Sequence, residues 1–309
     1  MNRPKVRKDM PDVVSILPWW LPLSVLVWAV QMAVFHGLGL VFEWSDRTAA
    51  LASFKVRDID RLGFFELLPR VLFNQILVLL PAMMALQYTG LAFAGAPHLS
   101  ILHFVAGMAL MVVGHDIVQY VFHRFVLHRP GLIGKLGHGV HHSTGASKAI
   151  GACYMSPADF FLEIVLPYLI PLALIGAGAD VLFQLTVASL GAIGGLYEHS
   201  GYDFAVRLPP PVRSGSGLQP LAWLYHLVTS KAHGEHHRLS NVSFSDGFGS
   251  PGICDAIFKT RWDMAGAARK TGAPVHDAGA EPASPRHRSL LDQTPKNCCR
   301  GSTASRPET

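Results

Sequence analysis

Five long apolar segments constrain this chain more than any other feature. Residues 19–42 run for 24 positions without a formal charge. A helix needs roughly 20 apolar residues to cross the hydrocarbon core of a bilayer. Further apolar segments cover about 70–95, 99–122, 160–178 and 181–197. Only 15% of all residues are charged, against roughly 25% in soluble domains, so the sequence predicts an integral membrane protein.

The predicted fold is an all-α integral membrane protein with about four transmembrane helices and a helical, histidine-rich cap on its cytoplasmic face. Pro81 lies near the middle of the second segment, so a kinked or re-entrant helix is expected there. Four full crossings place the basic N-terminus and the basic histidine-bearing loops together in the cytoplasm, as the positive-inside rule favours. We divide the chain into N-terminal membrane segments (1–98), a histidine-rich domain (99–262) and a disordered polar tail (263–309).

The net charge of +5 does not indicate nucleic acid as a partner, because the basic residues form no stripe interleaved with aromatic side chains. The membrane itself is the expected partner. Histidine is the more informative residue type, since 11 of the 16 histidines lie between His115 and His237. They follow the third and the fifth apolar segments. If the fourth and fifth segments form a helical hairpin, all of these histidines emerge on one membrane face.

Two copies of the pattern H-x-x-H-H carry most of the expected chemistry. Positions i, i+3 and i+4 share one face of a helix, so each copy is predicted to present three imidazoles to one point. Neutral imidazole is a good ligand for iron, zinc, copper and nickel. The two copies therefore predict ligands for two metal ions, namely His138, His141 and His142 in one, and His233, His236 and His237 in the other.

Three further histidines complete the predicted ligand set. His123 and His128 form an H-x4-H pattern, which leaves the two side chains about 140° apart on a regular helix. Both can face one site only if the helix loosens near His128, where Pro130 follows. His199, at the end of the fifth segment, is the ninth predicted ligand. The positions of His115 and His226 leave them undecided between ligands and packing residues.

Asp116 and Tyr120 lie on one helical stripe with His123, at i, i+4 and i+7. An intramembrane carboxylate is costly and is usually functional or paired. We expect Asp116 either to accept the spare ring N–H of a metal-binding histidine or to pair with Arg124. Asp116 and Tyr120 are thus the candidate catalytic residues. Histidine clusters alone also permit a second function, a non-catalytic zinc-binding membrane protein or a transporter, because imidazole does not select iron over zinc.

The motifs resemble those of the fatty acid hydroxylase/sterol desaturase superfamily. The resemblance rests on H-D-x-x-x-Y-x-x-H-R-x-x-x-H at 115–128, H-x-x-H-H-S at 138–143 and H-x-x-H-H at 233–237. It extends to E-H-S-G-Y-D at 198–203 and to residues 241–260, and it covers about 100–262. Two departures are Ser156-Pro157, where relatives often have His-Pro, and Lys259, where the closing F-G-T motif has glycine.

The resemblance implies that residues 99–262 are a catalytic domain with a di-iron site of eight or more histidines, in which zinc can substitute for iron. It implies O2-dependent hydroxylation or desaturation of a fatty acyl chain or sterol-like substrate from the bilayer. Electrons would come from a separate cytochrome, ferredoxin or reductase. The expected location is the inner membrane of a bacterium or the endoplasmic reticulum of a eukaryote. The site is expected to face the cytoplasm.

Overall fold

Five helices in the computed structural model are long and apolar enough to cross a membrane. The structure describes residues 21–59, 62–208, 225–247 and 250–264. The five helices are α1 (Leu23–Thr48), α2 (Phe64–Tyr88), α3 (Ile101–Leu127), α5 (Pro157–Ile175) and α6 (Val181–His199). Short helices α4 (His138–His142), α7 (Lys231–Leu239) and α8 (Ile253–Ile257) follow α3 and α6.

The prediction of a helical fold is confirmed for the described residues, apart from one small hairpin. Strands β1 (Asp246–Gly247) and β2 (Ser250–Pro251) pair antiparallel over two residues each. Single turns of 3-10 helix cover Ala52–Phe54, Ala149–Cys153 and Phe204–Arg207. The predicted tail lies outside the described residues except for Asp263 and Met264, and the basic N-terminal segment 1–18 lies outside them entirely.

The long helices run in alternating directions. At one end of the bundle, the start of α1 meets the end of α2, where the Ser24 N–H donates to Gln87 Oε1 at 2.8 Å. The loop that enters α3 lies at this end too, because the Leu99 N–H donates to Asp180 Oδ2 at the start of α6. This end of the bundle, with loops 89–100 and 176–180, is called the distal end below.

The opposite end holds the histidines and is called the site end. Asp46, near the end of α1, accepts a hydrogen bond from Tyr202 just after α6, at 2.8 Å. It also accepts from Lys55 at 2.6 Å and from Lys148 at 2.9 Å, which ties three loops to α1. Helices α1 and α6 therefore end together, beside the loop that leads into α5.

Three π-helical turns interrupt the long helices, at Gln75–Leu79, His123–Leu127 and Phe161–Val165. Such turns are rare in proteins as a whole, and those that occur are often found at functional sites. The first leads directly into Pro81, whose missing N–H removes a regular helical hydrogen bond. The predicted irregularity of the second segment is thus present, and α2 nevertheless continues as a 25-residue helix.

The outer surface of the bundle is apolar. Ile101, Leu102 and Leu174 are each more than three-quarters exposed. In the most apolar stretch of α3, only 17% of the residues are buried. Such a surface is stable in a bilayer, where lipid chains cover it. Together with the five long apolar helices, it indicates a membrane protein.

Candidate metal centre

Nine histidine side chains converge at the site end in two adjacent groups. Within each group, the facing side-chain nitrogens lie within 4.8 Å of one another. The structure brings together all nine histidines that the sequence predicted as ligands, and it divides them five to four. The five-histidine group contains His123, His128, His138, His142 and His236, and the four-histidine group contains His141, His199, His233 and His237.

Each H-x-x-H-H copy contributes to both groups, so the prediction that its three imidazoles meet at one point was wrong. His138 and His142 belong to the five-histidine group, whereas His141 between them belongs to the other. On a helix, positions i and i+4 lie about 40° apart, but i+3 and i+4 diverge by about 100°. The i+3 side chain therefore points to the neighbouring group, and α4 and α7 each join the two.

The H-x4-H pair meets because the helix loosens, as the sequence predicted. The His128 N–H donates to His123 O at 2.9 Å, which is an i+5 hydrogen bond and widens the last turn of α3. The two ring centroids lie 4.9 Å apart. Without this π-helical turn, His128 would point away from His123.

Backbone carbonyls fix the ring orientation of several histidines. His123 Nδ1 donates to Phe244 O at 2.8 Å, and His236 Nδ1 donates to Val242 O at 2.7 Å. His199 Nδ1 donates to Gly195 O at 2.9 Å. A proton held on Nδ1 leaves a free lone pair on Nε2, which is the form that binds a metal ion.

The hydrogen bond to a histidine ring that was predicted for Asp116 is made by Asp159. Its Oδ1 lies 2.9 Å from His138 Nδ1, and both side chains are fully buried. Asp116 instead accepts the backbone N–H groups of Ile253 and Cys254, at 2.8 and 2.9 Å. Asp116 and His123 lie on the same helix, as predicted. The partner of Asp116 is the start of α8, a segment distant in sequence.

Tyr120 also contacts this C-terminal segment rather than the histidine groups. Its ring stacks on Phe258 with centroids 5.2 Å apart, and its hydroxyl lies 3.3 Å from Thr260 Oγ1 and accepts from Arg124. Asp116 and Tyr120 were predicted as catalytic residues. That role stays a prediction; in the structure both side chains hold the segment whose Phe244 carbonyl orients His123.

Asp255 organises the same segment from within. Its carboxylate accepts the N–H groups of Phe244 at 3.0 Å and Ser245 at 2.7 Å. Lys259, which stands where the family motif has glycine, adopts a positive φ of 56°. That backbone conformation favours glycine, so the departure costs some strain while the turn itself is kept. Ser156, the other departure, caps α5 by accepting the Asp159 N–H at 3.1 Å.

The donor set fits metal ions. The Nδ1 protons of His123 and His138 point to Phe244 O and Asp159, so their two Nε2 lone pairs face each other at 3.2 Å. Two unprotonated nitrogens at this distance repel unless a cation lies between them and their neighbours. His236 Nε2 is also buried and makes no hydrogen bond within the described residues. A cation in the five-histidine group would satisfy these atoms.

Burial keeps the imidazoles neutral. It lowers the pKa of His142 to about 3, with a further contribution from the neighbouring His138. Burial also lowers the pKa of His141, His233, His236 and His237 well below the ordinary histidine value. Metal binding requires deprotonated imidazole, so no proton has to be displaced at neutral pH.

A comparison with known proteins matches this same part of the chain. Residues 108–260, which contain all nine histidines, match the family model for fatty acid hydroxylases. This stretch matches the fatty acid hydroxylase family. It is similar to fatty acid hydroxylase ahd1 of Mycosarcoma maydis, with 26% identity over 172 residues. Those residues are 56% of this chain and 38% of the relative. No solved structure matches the chain. The predicted superfamily is confirmed.

Residues 108–260 contribute most of the lining of a cavity of about 250 Å³ that reaches the histidines. Its walls are mainly apolar side chains of α1, α2, α3, α5 and α6, and its inner end includes His199 and His233. Leu190 and Gly191 line its other side and are exposed on the outer surface of α6. The cavity therefore connects the exposed surface of α6 with the four-histidine group.

The two undecided histidines lie outside both groups. His115 lines the cavity beside Gln119, one helical turn away on α3. His226 Nε2 lies 3.9 Å from Asp263 Oδ2, at the partly exposed surface. Sequence reasoning missed Asp159 and Glu163, which lie one turn apart at the start of α5 among the histidines. Two carboxylates in an apolar segment were the signal that could have found them.

We expect Asp159→Asn to weaken metal binding by roughly 10- to 100-fold, the usual effect of removing a carboxylate behind a histidine ligand. The amide cannot stabilise the Nδ1–H of His138 as a carboxylate does. Chelator competition against the purified protein measures this affinity. Asp180→Asn is the matched control, since Asp180 caps α6 at the distal end. Equal metal affinity in the Asp159 variant and wild type would contradict the assigned role.

Proposed function

We propose that this chain is a membrane-bound di-iron oxygenase that uses O2 to hydroxylate a long-chain lipid. The observation that carries the proposal is that a cavity open to the outer surface of the helices reaches nine clustered histidines, of which seven are buried and two are half-buried. The family match supports an oxidoreductase acting on lipid. Desaturation of the same lipid, at an acyl chain or a sterol-like ring, is the alternative outcome of the same chemistry.

The reaction has a defined balance. A C–H bond becomes C–OH when one oxygen atom of O2 enters the product and the other leaves as water, which consumes two electrons and two protons. Two bound iron ions would supply the oxidising power, which is chemistry of the cofactor and not of the side chains. The electrons require a separate donor protein, a cytochrome, ferredoxin or reductase, for which the site end offers a basic surface with Arg129 and Lys135.

The protein contributes binding, orientation and exclusion of water. The apolar cavity walls hold the lipid chain, and Phe35, Met111 and Val187 are among the side chains that line them. The carbonyls of Phe244 and Val242 hold the imidazole tautomers. Glu198 and Gln119 add polar groups near the inner end.

The test is expression in a host whose lipids are profiled with and without the chain under ¹⁸O2. Hydroxylation predicts a new lipid heavier by one ¹⁸O atom, together with iron in the purified protein. Desaturation predicts a lipid lighter by two hydrogens and no ¹⁸O. A zinc-binding protein without oxygen uptake or a changed lipid would refute the oxygenase and favour the non-catalytic alternative.

We further propose that all five helices cross the membrane and that the site end is cytoplasmic. The alternation of helix ends supports five crossings over the four favoured by the sequence. The distal loops 89–100 and 176–180 contain no Lys or Arg, whereas loop 49–63 alone contains three. Cytoplasmic loops carry the excess of basic residues.

Epitope tags at the two termini test this topology. Five crossings predict that a C-terminal tag is cytoplasmic and an N-terminal tag lies on the opposite side. Protease accessibility in sealed, oriented vesicles measures each position, and a tag on a known cytoplasmic protein serves as the control. Two tags on the same side would support the four-span arrangement, in which α2 is re-entrant.

A further inference from the structure

We propose that Glu163 is a metal ligand that bridges the two histidine groups. The inference rests on the proposed di-metal function and adds a carboxylate to a ligand set otherwise built from imidazole. Glu163 lies in the π-helical turn Phe161–Val165 of α5, one turn after Asp159. Its side chain is 3% exposed.

The position of one carboxylate oxygen carries the argument. Glu163 Oε1 lies 3.7 Å from His123 Nε2 in the five-histidine group. It lies equally far, 3.7 Å, from His141 Nε2 in the four-histidine group. These separations are too long for hydrogen bonds. Two ligand atoms that share a metal ion at about 2.1 Å lie roughly 3.0–3.6 Å apart, so both separations are close to those of ligands on a common ion.

The second carboxylate oxygen is also available. Glu163 Oε2 is buried and accepts no N–H or O–H of the described residues. It lies 3.3 Å from His138 Nδ1, and that nitrogen is already engaged by Asp159. No Lys or Arg of the described residues forms an ion pair with Glu163, whose ionisable neighbours are buried histidines and the carboxyl group of Asp159, which lies within hydrogen-bonding distance. A buried carboxylate without a cation is costly, and two metal ions would compensate it.

Charge balance also supports Glu163 as a metal ligand. Nine neutral imidazoles bring no negative charge to a site that would hold two divalent cations. Glu163 is the carboxylate that faces both groups, whereas Asp159 Oδ1 faces the outer nitrogen of His138. Bridging carboxylates hold the paired irons of soluble four-helix-bundle proteins in this way. The competing structural role is a neutral Glu163 that packs beside Asp159 and never meets a metal.

The experiment compares Glu163→Gln with wild type, using Fe²⁺ alone under anaerobic conditions. Loss of a bridging ligand predicts at least a tenfold weaker affinity for iron and a smaller rise in melting temperature on adding Fe²⁺. It also predicts altered Mössbauer parameters of the ⁵⁷Fe-loaded protein. The Glu163→Asp variant should restore part of the iron affinity. Asp180→Asn removes a buried carboxylate at the distal end and should leave the Mössbauer spectrum unchanged.

The two roles predict opposite behaviour of the apoprotein. A ligand role predicts that Glu163→Gln apoprotein melts no lower than wild-type apoprotein, because a buried charge is removed. A structural role predicts a lower melting temperature with unchanged iron binding and spectrum, and that result would overturn the inference. Wild-type protein that binds fewer than two iron ions would instead refute the proposed di-iron function, so the two failures are distinguishable.

Discussion

The double variant His141→Ala/His236→Ala is expected to bind no iron and to form no oxidised lipid. The two histidines belong to different groups, so the pair removes one ligand from each. Both are buried, and His236 is held by Val242 O. Each alanine would remove one nitrogen ligand and leave the metal ion with an incomplete coordination sphere. A site with too few ligands loses its metal. Elemental analysis and lipid profiling of the same preparation measure the two losses together.

His226→Ala is the control for this experiment. His226 lies only seven residues before His233, but its nearest charged partner is Asp263 and it belongs to neither group. Its replacement should leave the iron content and the product yield at wild-type levels. Full turnover by the double variant would contradict the metal-centred function altogether.

Gly191→Phe is expected to lower kcat/KM for a long-chain substrate by about tenfold or more while the iron content stays constant. A tenfold loss corresponds to about 1.4 kcal/mol of transition-state free energy. Gly191 lies where the cavity meets the outer surface, and a Cβ placed there meets no atom within 4 Å. The helix can therefore accept the larger side chain, which would narrow the path to His199, about two turns further along α6 and also in the cavity lining.

Gly37→Phe is the matched control, because Gly37 is exposed on α1, has equal free space and does not line the cavity. Kinetics with a short and a long substrate separate obstruction from general damage, since a short chain needs less of the cavity. An equal loss for both glycine variants would refute the entry path.

The sequence predicted the membrane helices and all nine histidines because both signals are local. Apolar length and histidine spacing can be read without knowing what packs against what. The sequence did not predict that each H-x-x-H-H copy divides its histidines between the two groups. That division depends on where His199 and His236 lie in the fold, which the spacing within one motif does not give. The sequence predicted that the helix must loosen near His128 if both histidines face one site, because a regular helix could not aim them together; the structure shows this loosening as a π-helical turn from His123 to Leu127.

The roles of Asp116 and Tyr120 were beyond the sequence for a different reason. Their helical spacing with His123 is real, but their partners, Ile253 and Phe258, lie more than 130 residues away. The carbonyl acceptors Phe244 O and Val242 O leave no side-chain signature at all. Contacts made by the backbone across long separations are set by the tertiary fold and not by a motif.

The dependence of His123 and His236 on the carbonyls of Phe244 and Val242 has a consequence for biosynthesis. The last histidine of the centre is His237, yet the groups that orient two of the nine are synthesised after it. Asp116 and Tyr120, in α3, form their hydrogen bonds with residues 253–260, which are synthesised later still. If the chain holds iron as proposed, we expect these histidines to be fully oriented only after residues 242–260 have been synthesised. A nascent chain stopped after His237 would contain all nine histidines but lack the carbonyl groups that orient His123 and His236.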